Sequence, residues 1–448
     1  MSSVTLEQML AARDSRVSRQ QALLAAYDRP LLSFTLNIPG PIKDSPAIRR
    51  AFRCGLSRLD ELSLPLLCRE ERHSVTGPEL LCAVDTDAAA LKALCLSIED
   101  EEPIGRLFDL DVIDRSGRKL SRPRERPCLV CGAPGRGCAS RRVHSLAELR
   151  EAVERILRDK FLALDGTFME NLASQSLSDE LDTSPKPGLV DRFHNGAHAD
   201  MTYRHFEASI QALRPYWRRF FEAGAKSASL PPEESFRLLR HEGLMAERAM
   251  LAATGGVNTH KGAIFLLGAV CGAVGRLWSV DGLCRDPARI ASECAAMSRR
   301  SLEEDFARIR SSGQGCTAGE RIYLQHGLRG ARGELADGLP GVVGCSLPAL
   351  TAYLLDGRSR NDAGVGALLH LIARGTDTNM IRRGGLAAAQ SAAEEAARLL
   401  RGGSLPPLSA VHALDRCFVS RNLSPGGCAD LLSLSFFLYD LSRSGETV

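Results

Sequence analysis

The stretch PKPGLVDRFHNGAHADM, residues 185–201, decides how the second half of this chain is organised. Two prolines and a glycine among its first four residues break any helix that enters it, and Gly196 breaks it again. A loop so rich in titratable groups buries little apolar area, which favours a functional site carried on a rigid scaffold. Its candidate acid–base or metal-binding carboxylates are Asp191 and Asp200, and its candidate ligand contacts are Arg192, Asn195 and His198.

A second polar stretch, GGVNTHKG at residues 255–262, has a similar composition. Its glycine pair ends a helical run, and Asn258 or Thr259 is the expected N-cap of the apolar helix that follows. A helix that begins there leaves unpaired backbone N–H groups beside His260 and Lys261. The stretch therefore predicts an anion site.

Length and composition set the outer bounds. At 448 residues the chain exceeds a typical single core, which predicts two domains. A net charge of +3 with scattered basic residues excludes extended non-specific binding to nucleic acid, but not local phosphate pockets. The longest apolar run, residues 262–274, is too short and too glycine-rich to span a bilayer. Fourteen cysteines without scaffold-like spacing and a polar N-terminal segment favour a cytoplasmic protein with reduced thiols.

Helical and strand patterns alternate in the N-terminal part, which predicts an α+β domain over residues 1–155. The expected elements are a helix at 6–27, strands at 33–38 and 79–85, then a further strand, a turn at 115–117 and a return strand. Lys43 lies in the loop after the first of these strands. It is either a phosphate ligand or an exposed lysine on a solvated turn.

Two carboxylates mark the strand before that turn. Asp109 and Asp111 are two residues apart and therefore point to the same face, with apolar residues on the other. Such a pair can hold Mg²⁺, which recruits substrate phosphates. The alternative is the polar side of a half-buried antiparallel strand.

The one cysteine cluster is CLVCGAPGRGCASRRVH, residues 128–144. Cys128, Cys131, Cys138 and His144 form a candidate Cys₃His zinc site, structural rather than catalytic. The spacing matches none of the common zinc patterns, so a basic loop with packed cysteines remains the alternative.

Residues 156–448 read as a mainly α-helical domain whose glycine-rich loops repeat one theme. Helix N-termini preceded by glycine and flanked by charged residues suit a polyphosphate with its metal. In one of them Ser424 is the expected N-cap, with Pro425 at the first helical position. The remaining candidates on these loops are Arg332, Glu334, Asp377, Asn379, Arg383 and Asp430. Neither a Walker A motif nor a GxGxxG after a strand is present, so the sequence predicts a nucleotide enzyme of another type.

These strings resemble two known enzyme families. The second half is similar to the triphosphoribosyl-dephospho-CoA synthases, which make the precursor of the citrate lyase prosthetic group. The segments that carry this likeness are PKPGLVDRFHNGAHADM, ATGGVNTHKGAIFLLG, GERIYLQHGLRGARGELADGLP, the stretch from DTN to RRGG, and SPGGCADLLSLSFFL. The first half resembles the apo-citrate lyase phosphoribosyl-dephospho-CoA transferases, through SFTLNIPGPIKDSPAIRRAF, GRLFDLDVID and CLVCGAPGRGCASRRVHS. A chain with both resembles a fused, bifunctional bacterial form.

The resemblance implies two consecutive reactions. In the synthase half, a ribose hydroxyl of 3′-dephospho-CoA attacks C1 of the ribose of ATP, and adenine leaves. In the transferase half, a serine of the apo acyl carrier (gamma) subunit of citrate lyase attacks a phosphate of the product, and pyrophosphate leaves. ATP and 3′-dephospho-CoA are then the substrates, Mg²⁺ is the expected cofactor, and neither nucleic acid nor membrane is an expected partner.

Residue chemistry and placement suggest roles within these reactions. Asp191 or Asp200 would be the base or a Mg²⁺ ligand of the synthase, and Asp109 and Asp111 would hold Mg²⁺ in the transferase. Phosphates would be neutralised by Lys261, Arg332 and Arg383 in the synthase and by Lys43 and Arg106 in the transferase; Asn195 and Asn258 would orient ribose or base.

Three other functions stay open. A sister synthase serves malonate decarboxylase by the same first reaction, although the attached transferase half argues against it. The helical domain could instead hydrolyse nucleotide glycosides with water. A non-enzymatic alternative is a zinc-bearing module that docks the carrier protein and whose aspartate pair is merely structural.

Overall fold

The computed structural model describes residues 3–315 and 317–445, and leaves the side chains of two residues in the cysteine-rich segment undescribed. The chain divides into two compact units within α5 (Leu146–Asp182). The N-terminal unit comprises the described residues up to Leu164 and the short segment Ser279–Gly282. The C-terminal unit comprises the rest of the described chain.

The N-terminal unit combines a small sheet with helices, an α+β arrangement. Its strands are β1 (Leu31–Leu36), β2 (Leu66–Arg72), β3 (Glu79–Val84) and β4 (Phe108–Ile113). Its helices are α1 (Leu6–Tyr27), α2 (Pro46–Glu61), α3 (Ala88–Glu101), α4 (Gly135–Ser140) and the first half of α5, with a 3₁₀ turn at Pro103–Leu107. All strand pairs are antiparallel, in the order β2-β3-β1-β4.

Each face of the sheet has its own helical cover. On one face the ring of Phe34 stacks on that of Phe52 of α2, with ring centroids 4.6 Å apart. On the other face, Leu23 of α1 packs in a buried cluster with Leu31 and Leu81. Successive side chains along the strands point to opposite faces, and apolar residues occur on both faces. The sheet therefore packs against a hydrophobic core on each side.

The strand predictions were only partly correct. The strands expected at 33–38, at 79–85 and before the turn at 115–117 are confirmed with shifted ends as β1, β3 and β4. The predicted return strand is wrong: Lys119 forms an isolated bridge with Ile113, and no strand follows β4 among the described residues. β2 was missed because its sequence LLCREER is charged, which suits its exposed position at the edge of the sheet.

The C-terminal unit is mainly helical, as predicted, and no strand occurs among its described residues. Beyond the second half of α5 its helices are α6 (Tyr203–Lys226), α7 (Pro232–Ala253), α8 (Lys261–Arg276), α9 (Pro287–Ser312), α10 (Ala318–His326), α11 (Gly330–Ala336), α12 (Leu347–Leu355), α13 (Arg360–Ala373), α14 (Thr378–Leu400), α15 (Leu408–Ser420) and α16 (Gly426–Arg443). A π-helical turn, Val342–Ser346, precedes α12.

Glycines let α6 and α8 approach unusually closely. A Cβ on Gly224 of α6 would overlap the backbone of Gly272 of α8, and a Cβ on Gly275 would overlap the carbonyl of Phe221. Residues 263–275 of α8 are buried except Phe265, so this helix forms the centre of the unit. Its N-terminus is thereby held in place for the site described below.

The described part of the chain bears on the membrane and on the state of the cysteines. None of its helices is long and apolar enough to cross a membrane. Each cysteine in this part has a free thiol.

A glycine-to-alanine pair tests the helix contact. Gly224→Ala should destabilise the C-terminal unit by roughly 1–3 kcal/mol, because the new methyl group must push α8 away. Gly243→Ala, in the interior of α7 with nothing near its added methyl group, should be neutral or stabilising by about 0.5–1 kcal/mol. Thermal unfolding of the two variants measures the difference; equal melting temperatures would refute the close contact.

Candidate active sites

The first candidate site lies at β4 in the N-terminal unit. Phe108, Leu110 and Val112 point into the core, and the partly exposed Asp109 and Asp111 point to the opposite face. Burial and the neighbouring charge of Asp111 raise the pKa of Asp109. The same-face placement predicted from the sequence is therefore confirmed, and the two carboxylates repel each other.

Helix α3 fixes the outer edge of β4. The Lys92 ammonium donates to the Leu110 carbonyl over 2.8 Å, and the Leu110 N–H donates to Glu99 over 2.8 Å. Both side chains are buried, and Arg126 reinforces them by pairing with Glu99 and donating to the Phe108 carbonyl over 2.8 Å. The edge strand that carries the aspartate pair is therefore held by charged groups on side chains rather than by a further strand.

A cavity of about 1410 Å³ opens beside the aspartate pair. Its charged lining includes Arg106, Asp109, Asp111, Lys119, Arg122 and Arg126. Arg106 donates to the Pro127 carbonyl, and burial lowers the pKa of its guanidinium. The predicted phosphate ligand Lys43 is not among the lining residues; its ammonium donates to the Ile38 carbonyl.

The cysteine cluster adjoins the same cavity. Cys128, Cys138 and His144 belong to its lining. The structure brings these three and Cys131 together, with their ligand atoms within 4.8 Å of one another.

The second candidate site is built around the loop 185–201 of the C-terminal unit. Gly188 has a φ of +70°, and its N–H donates to the buried carboxylate of Asp415 over 2.9 Å. His194 Nδ1 accepts from the Gly196 N–H over 3.0 Å, which leaves the ring proton on Nε2, 3.0 Å from the other Asp415 oxygen. Asp415 therefore holds the loop at two points, Gly188 and His194, a role that sequence reasoning did not assign.

Within this loop the two predicted carboxylates differ sharply. Asp191 is buried, and its oxygens accept from the Ser184 hydroxyl (2.7 Å) and from the N–H groups of Phe193 (2.8 Å) and His194 (3.0 Å). These hydrogen bonds fix the conformation of the loop around Asp191. Asp200 is well exposed, 3.7 Å from His198, and a catalytic role for either residue stays a prediction.

Other predicted loop residues join this arrangement through hydrogen bonds. His198 Nε2 lies 2.7 Å from the Ser424 hydroxyl, and Arg383 donates to the carbonyl of Ala197 and to Asn422. Burial and the charge of Arg383 lower the pKa of His198. Ser424 is not the N-cap that the sequence predicted: Pro425 takes that position, and α16 begins at Gly426.

Two helix N-termini meet at Asp377. One carboxylate oxygen accepts from the N–H groups of Asn379 and Met380 in the first turn of α14, over 2.8 and 2.9 Å. The other accepts from the N–H of Cys428 in α16 over 2.8 Å. A Cβ on Gly427 would lie 2.9 Å from that oxygen, so the glycine permits the approach.

A third helix N-terminus, that of α8, contacts Asp430 of α16. Its carboxylate accepts from the backbone of Ala263 in α8, and a Cβ on Gly262 would collide with it. The expected N-cap of α8 is wrong by one or two positions, because His260 is the N-cap. Asn258 still serves that terminus, since its side-chain oxygen accepts from the Lys261 N–H over 3.2 Å.

The carboxylates Asp430, Asp377 and Glu180 lie near one another with too little positive charge to balance them. Desolvation, and then the charges of Glu180 and Asp377, raise the pKa of Asp430 well above its ordinary value. Burial also raises the pKa of Asp377. The buried cation Lys186 pairs with Glu180 over 2.6 Å. Beside it, burial and Lys186 lower the pKa of His260 to about 3, and the Ser209 hydroxyl lies 2.6 Å from its Nδ1.

A cavity of about 250 Å³ is lined in part by Asp377 and the first turn of α16. Arg329, Glu334, Asp337, Arg374 and Thr378 complete its polar wall. Arg374 lies 3.2 Å from Glu334, and Arg329 pairs with Asp337. Cations, carboxylates and helix N–H groups thus border one small space.

Several predicted ligand residues lie in other surroundings. Lys261 pairs with Glu247 over 2.5 Å, Arg332 with Glu320 over 3.3 Å and Arg192 with Asp182 over 2.8 Å. Asn195 is exposed on the loop. Their assignments to phosphate, ribose or base stay predictions.

Sequence reasoning missed several groups that this site depends on. Lys186 stood inside the quoted motif, between two prolines, and a lysine in a loop gave no sign of burial. Glu180, Asp415 and Arg374 lie in or directly after helices, where a charged residue reads as part of a solvated face. Only the packing of distant segments reveals them.

Comparison with known proteins identifies both units. Residues 4–160 match the family model described as apo-citrate lyase phosphoribosyl-dephospho-CoA transferase. Residues 167–447 match the model described as ATP:dephospho-CoA triphosphoribosyl transferase. Protein CitXG of Haemophilus influenzae is 34% identical, over 97% of this chain and 96% of its own length. The chain belongs to the CitXG family.

Two further relatives agree with this assignment. Protein CitXG of Leuconostoc mesenteroides subsp. cremoris is 32% identical, over 98% of each chain. The probable 2-(5''-triphosphoribosyl)-3'-dephosphocoenzyme-A synthase of Vibrio cholerae is 43% identical over 60% of this chain and 87% of its own. The protein is thus a transferase with two family domains, as the resemblance predicted, and the non-enzymatic docking module is set aside.

Asp430→Asn should raise stability at neutral pH. A raised pKa means that the fold favours the protonated carboxyl group, so ionisation costs stability as pH rises above the unfolded-state pKa. Asparagine mimics the protonated form, so its gain should be largest at neutral pH and vanish below about pH 4. Unfolding midpoints across this range, in metal-free buffer, measure the effect. A gain independent of pH, or a loss at neutral pH, would contradict the electrostatic account.

Proposed function

We propose that this CitXG-family chain makes the citrate lyase prosthetic group and attaches it. The C-terminal unit would convert ATP and 3′-dephospho-CoA to 2′-(5″-triphosphoribosyl)-3′-dephospho-CoA and adenine. The N-terminal unit would transfer phosphoribosyl-dephospho-CoA to a serine of the apo acyl carrier subunit, with loss of pyrophosphate. The observation that supports it is the presence in each unit of a separate cavity lined by both carboxylates and arginines.

The synthase reaction needs counter-charge for a triphosphate and a proton acceptor. Desolvation raises the pKa values of Asp377 and Asp430, and the charges of Glu180 and Asp377 raise that of Asp430 further. Mg²⁺ with the triphosphate would supply positive charge, and Arg374 and Arg329 would contact the phosphates. At about 250 Å³ the cavity is below the usual size of a small-molecule site and suits part of a nucleotide.

Proton transfer falls to a carboxylate in this proposal. The attacking ribose hydroxyl forms a bond to C1 of the ATP ribose, the C1–N bond to adenine breaks, and the hydroxyl loses its proton. A carboxylate with a raised pKa accepts a proton more readily near neutral pH, which favours Asp430 over the fully hydrogen-bonded Asp191. Bordering helix N-termini would stabilise the retained triphosphate.

The transferase reaction needs a metal-bridged phosphate within reach of a protein serine. Asp109 and Asp111 would hold Mg²⁺, which neutralises the phosphate that the serine oxygen attacks. Arg106, Arg122 and Arg126 line the same cavity and suit the departing pyrophosphate. The cavity, about 1410 Å³, has room for a bulky nucleotide derivative.

Mass spectrometry tests both halves together. Apo acyl carrier subunit incubated with this protein, ATP, dephospho-CoA and Mg²⁺ should gain the mass of one phosphoribosyl-dephospho-CoA, with one adenine released per transfer. Adenine release that does not require dephospho-CoA would favour the glycoside hydrolase instead. Modification of a malonate decarboxylase carrier, but not of the citrate lyase carrier, would favour the sister pathway.

A single substitution should separate the two reactions. Asp109→Asn should lower carrier labelling by at least about 100-fold, because the metal loses a charged ligand. Adenine release should stay intact. The control is Asp60→Asn, an exposed aspartate of α2 that pairs with Arg69 and lies outside the cavity lining. Loss of both reactions in a folded Asp109→Asn protein would contradict the two-site proposal.

A further inference from the structure

The segment from Ser121 to Ser145 folds without a hydrophobic core of its own. Among its described side chains, only Cys128 and Cys138 are buried. Its one helix, α4, has six residues, too few to be stable alone. Apolar burial therefore does not explain why the segment is ordered, and its buried groups are two thiols.

Those thiols belong to a compact set of four ligand atoms. The sulfur atoms of Cys128, Cys131 and Cys138 and a ring nitrogen of His144 all lie within 4.8 Å of one another. The Cys131 and Cys138 sulfur atoms are 3.5 Å apart, and His144 Nε2 is 3.2 Å from Cys131 Sγ. A disulfide would need about 2.05 Å between sulfur atoms.

These separations suit a tetrahedral zinc ion. With Zn–S of about 2.3 Å and Zn–N of about 2.0 Å, tetrahedral geometry places sulfur atoms about 3.8 Å apart and sulfur and nitrogen about 3.5 Å apart. The Cys131–Cys138 and His144–Cys131 distances are shorter than these values by only a few tenths of an ångström, and all ligand atoms lie within 4.8 Å of one another. Small side-chain rotations would therefore complete the coordination.

The backbone presents the ligands from three separate pieces. Cys128 and Cys131 lie on a tight turn in which the Cys128 N–H donates to the Ala133 carbonyl and the Gly132 N–H donates to the Cys128 carbonyl over 3.1 Å. Cys138 comes from α4. His144 directly precedes Ser145, whose hydroxyl accepts from the Glu148 N–H over 3.2 Å at the start of α5. One ion would join the turn, the short helix and the long helix.

We propose that Cys128, Cys131, Cys138 and His144 bind one structural Zn²⁺, which holds one wall of the cavity that contains Asp109 and Asp111. Four protein ligands close the coordination sphere, which is typical of structural rather than catalytic zinc. Three of the four ligands also line that cavity. The ion therefore fixes a part of the cavity wall that has no buried apolar core among the described residues 121–145. Any effect of the ion on carrier labelling rests on the proposed function, whereas metal binding itself does not.

Metal content and a cobalt spectrum test the site directly. Purified full-length protein should contain about one zinc per chain. Replacement by Co²⁺ should give the intense visible absorption of tetrahedral cobalt, with thiolate-to-cobalt bands in the near ultraviolet. Protein that contains less than about a tenth of an equivalent of zinc and gives no such spectrum, or that shows a Cys131–Cys138 disulfide, would overturn the proposal.

Variants locate the ion. Cys131→Ser removes an exposed thiol and should lose most of the zinc, whereas His144→Cys offers a fourth thiolate and should retain it with a red-shifted cobalt spectrum. The matched control is Cys68→Ser, a partly buried free cysteine of the same unit outside the cluster, which should keep zinc in full. Equal zinc content in Cys131→Ser and Cys68→Ser would place the metal elsewhere.

Activity gives an independent reading. Zinc loss through Cys131→Ser should lower carrier labelling by about tenfold or more and leave adenine release unchanged, since the synthase residues lie in the other unit. If zinc and the cobalt spectrum are present but the unmodified protein does not label the carrier, the proposed transfer fails and the zinc site stands. Full labelling by zinc-free protein would refute the structural role.

Discussion

The C-terminal unit depends on a buried carboxylate between two helix beginnings. Asp377 caps α14 with one oxygen and receives the Cys428 N–H of α16 with the other. Each helix terminus offers unpaired N–H groups and a partial positive charge, so the carboxylate satisfies both at once. Asp430 repeats the arrangement at α8, and the glycines beside the two carboxylates make the close approach possible.

The excess of negative charge in this arrangement costs stability. Burial raises the pKa values of Glu180, Asp377 and Asp430, and the helix N-termini and Lys186 do not fully offset this rise. A fold selected for stability alone would place neutral side chains here. A site that binds a metal–polyphosphate complex gains from the same excess of negative charge, because the missing cation arrives with the substrate.

Much of this fold was readable from local patterns. Proline and glycine positions predicted the loop 185–201, and helical periodicity predicted α1 to the residue. Side-chain alternation placed Asp109 and Asp111 on one face of β4. Each of these features depends only on neighbours along the chain. β2 was not predicted, because it is a charged edge strand that forms only by pairing with β3, a segment that local patterns do not connect to it.

The burial of the site residues could not be predicted from their neighbours in the sequence. Lys186 and Glu180 are six residues apart and both are buried, yet neither gives a sign of burial in the sequence. Asp191 was a good candidate by composition, but a short polar loop must satisfy its own backbone N–H groups, and the most buried carboxylate does so. A carboxylate in a polar motif can either satisfy backbone N–H groups of its loop or contact a ligand. The number of backbone donors around it distinguishes the two roles. By that criterion Asp191 shapes the loop, whereas Asp430 has one backbone donor and two negatively charged neighbours, Glu180 and Asp377.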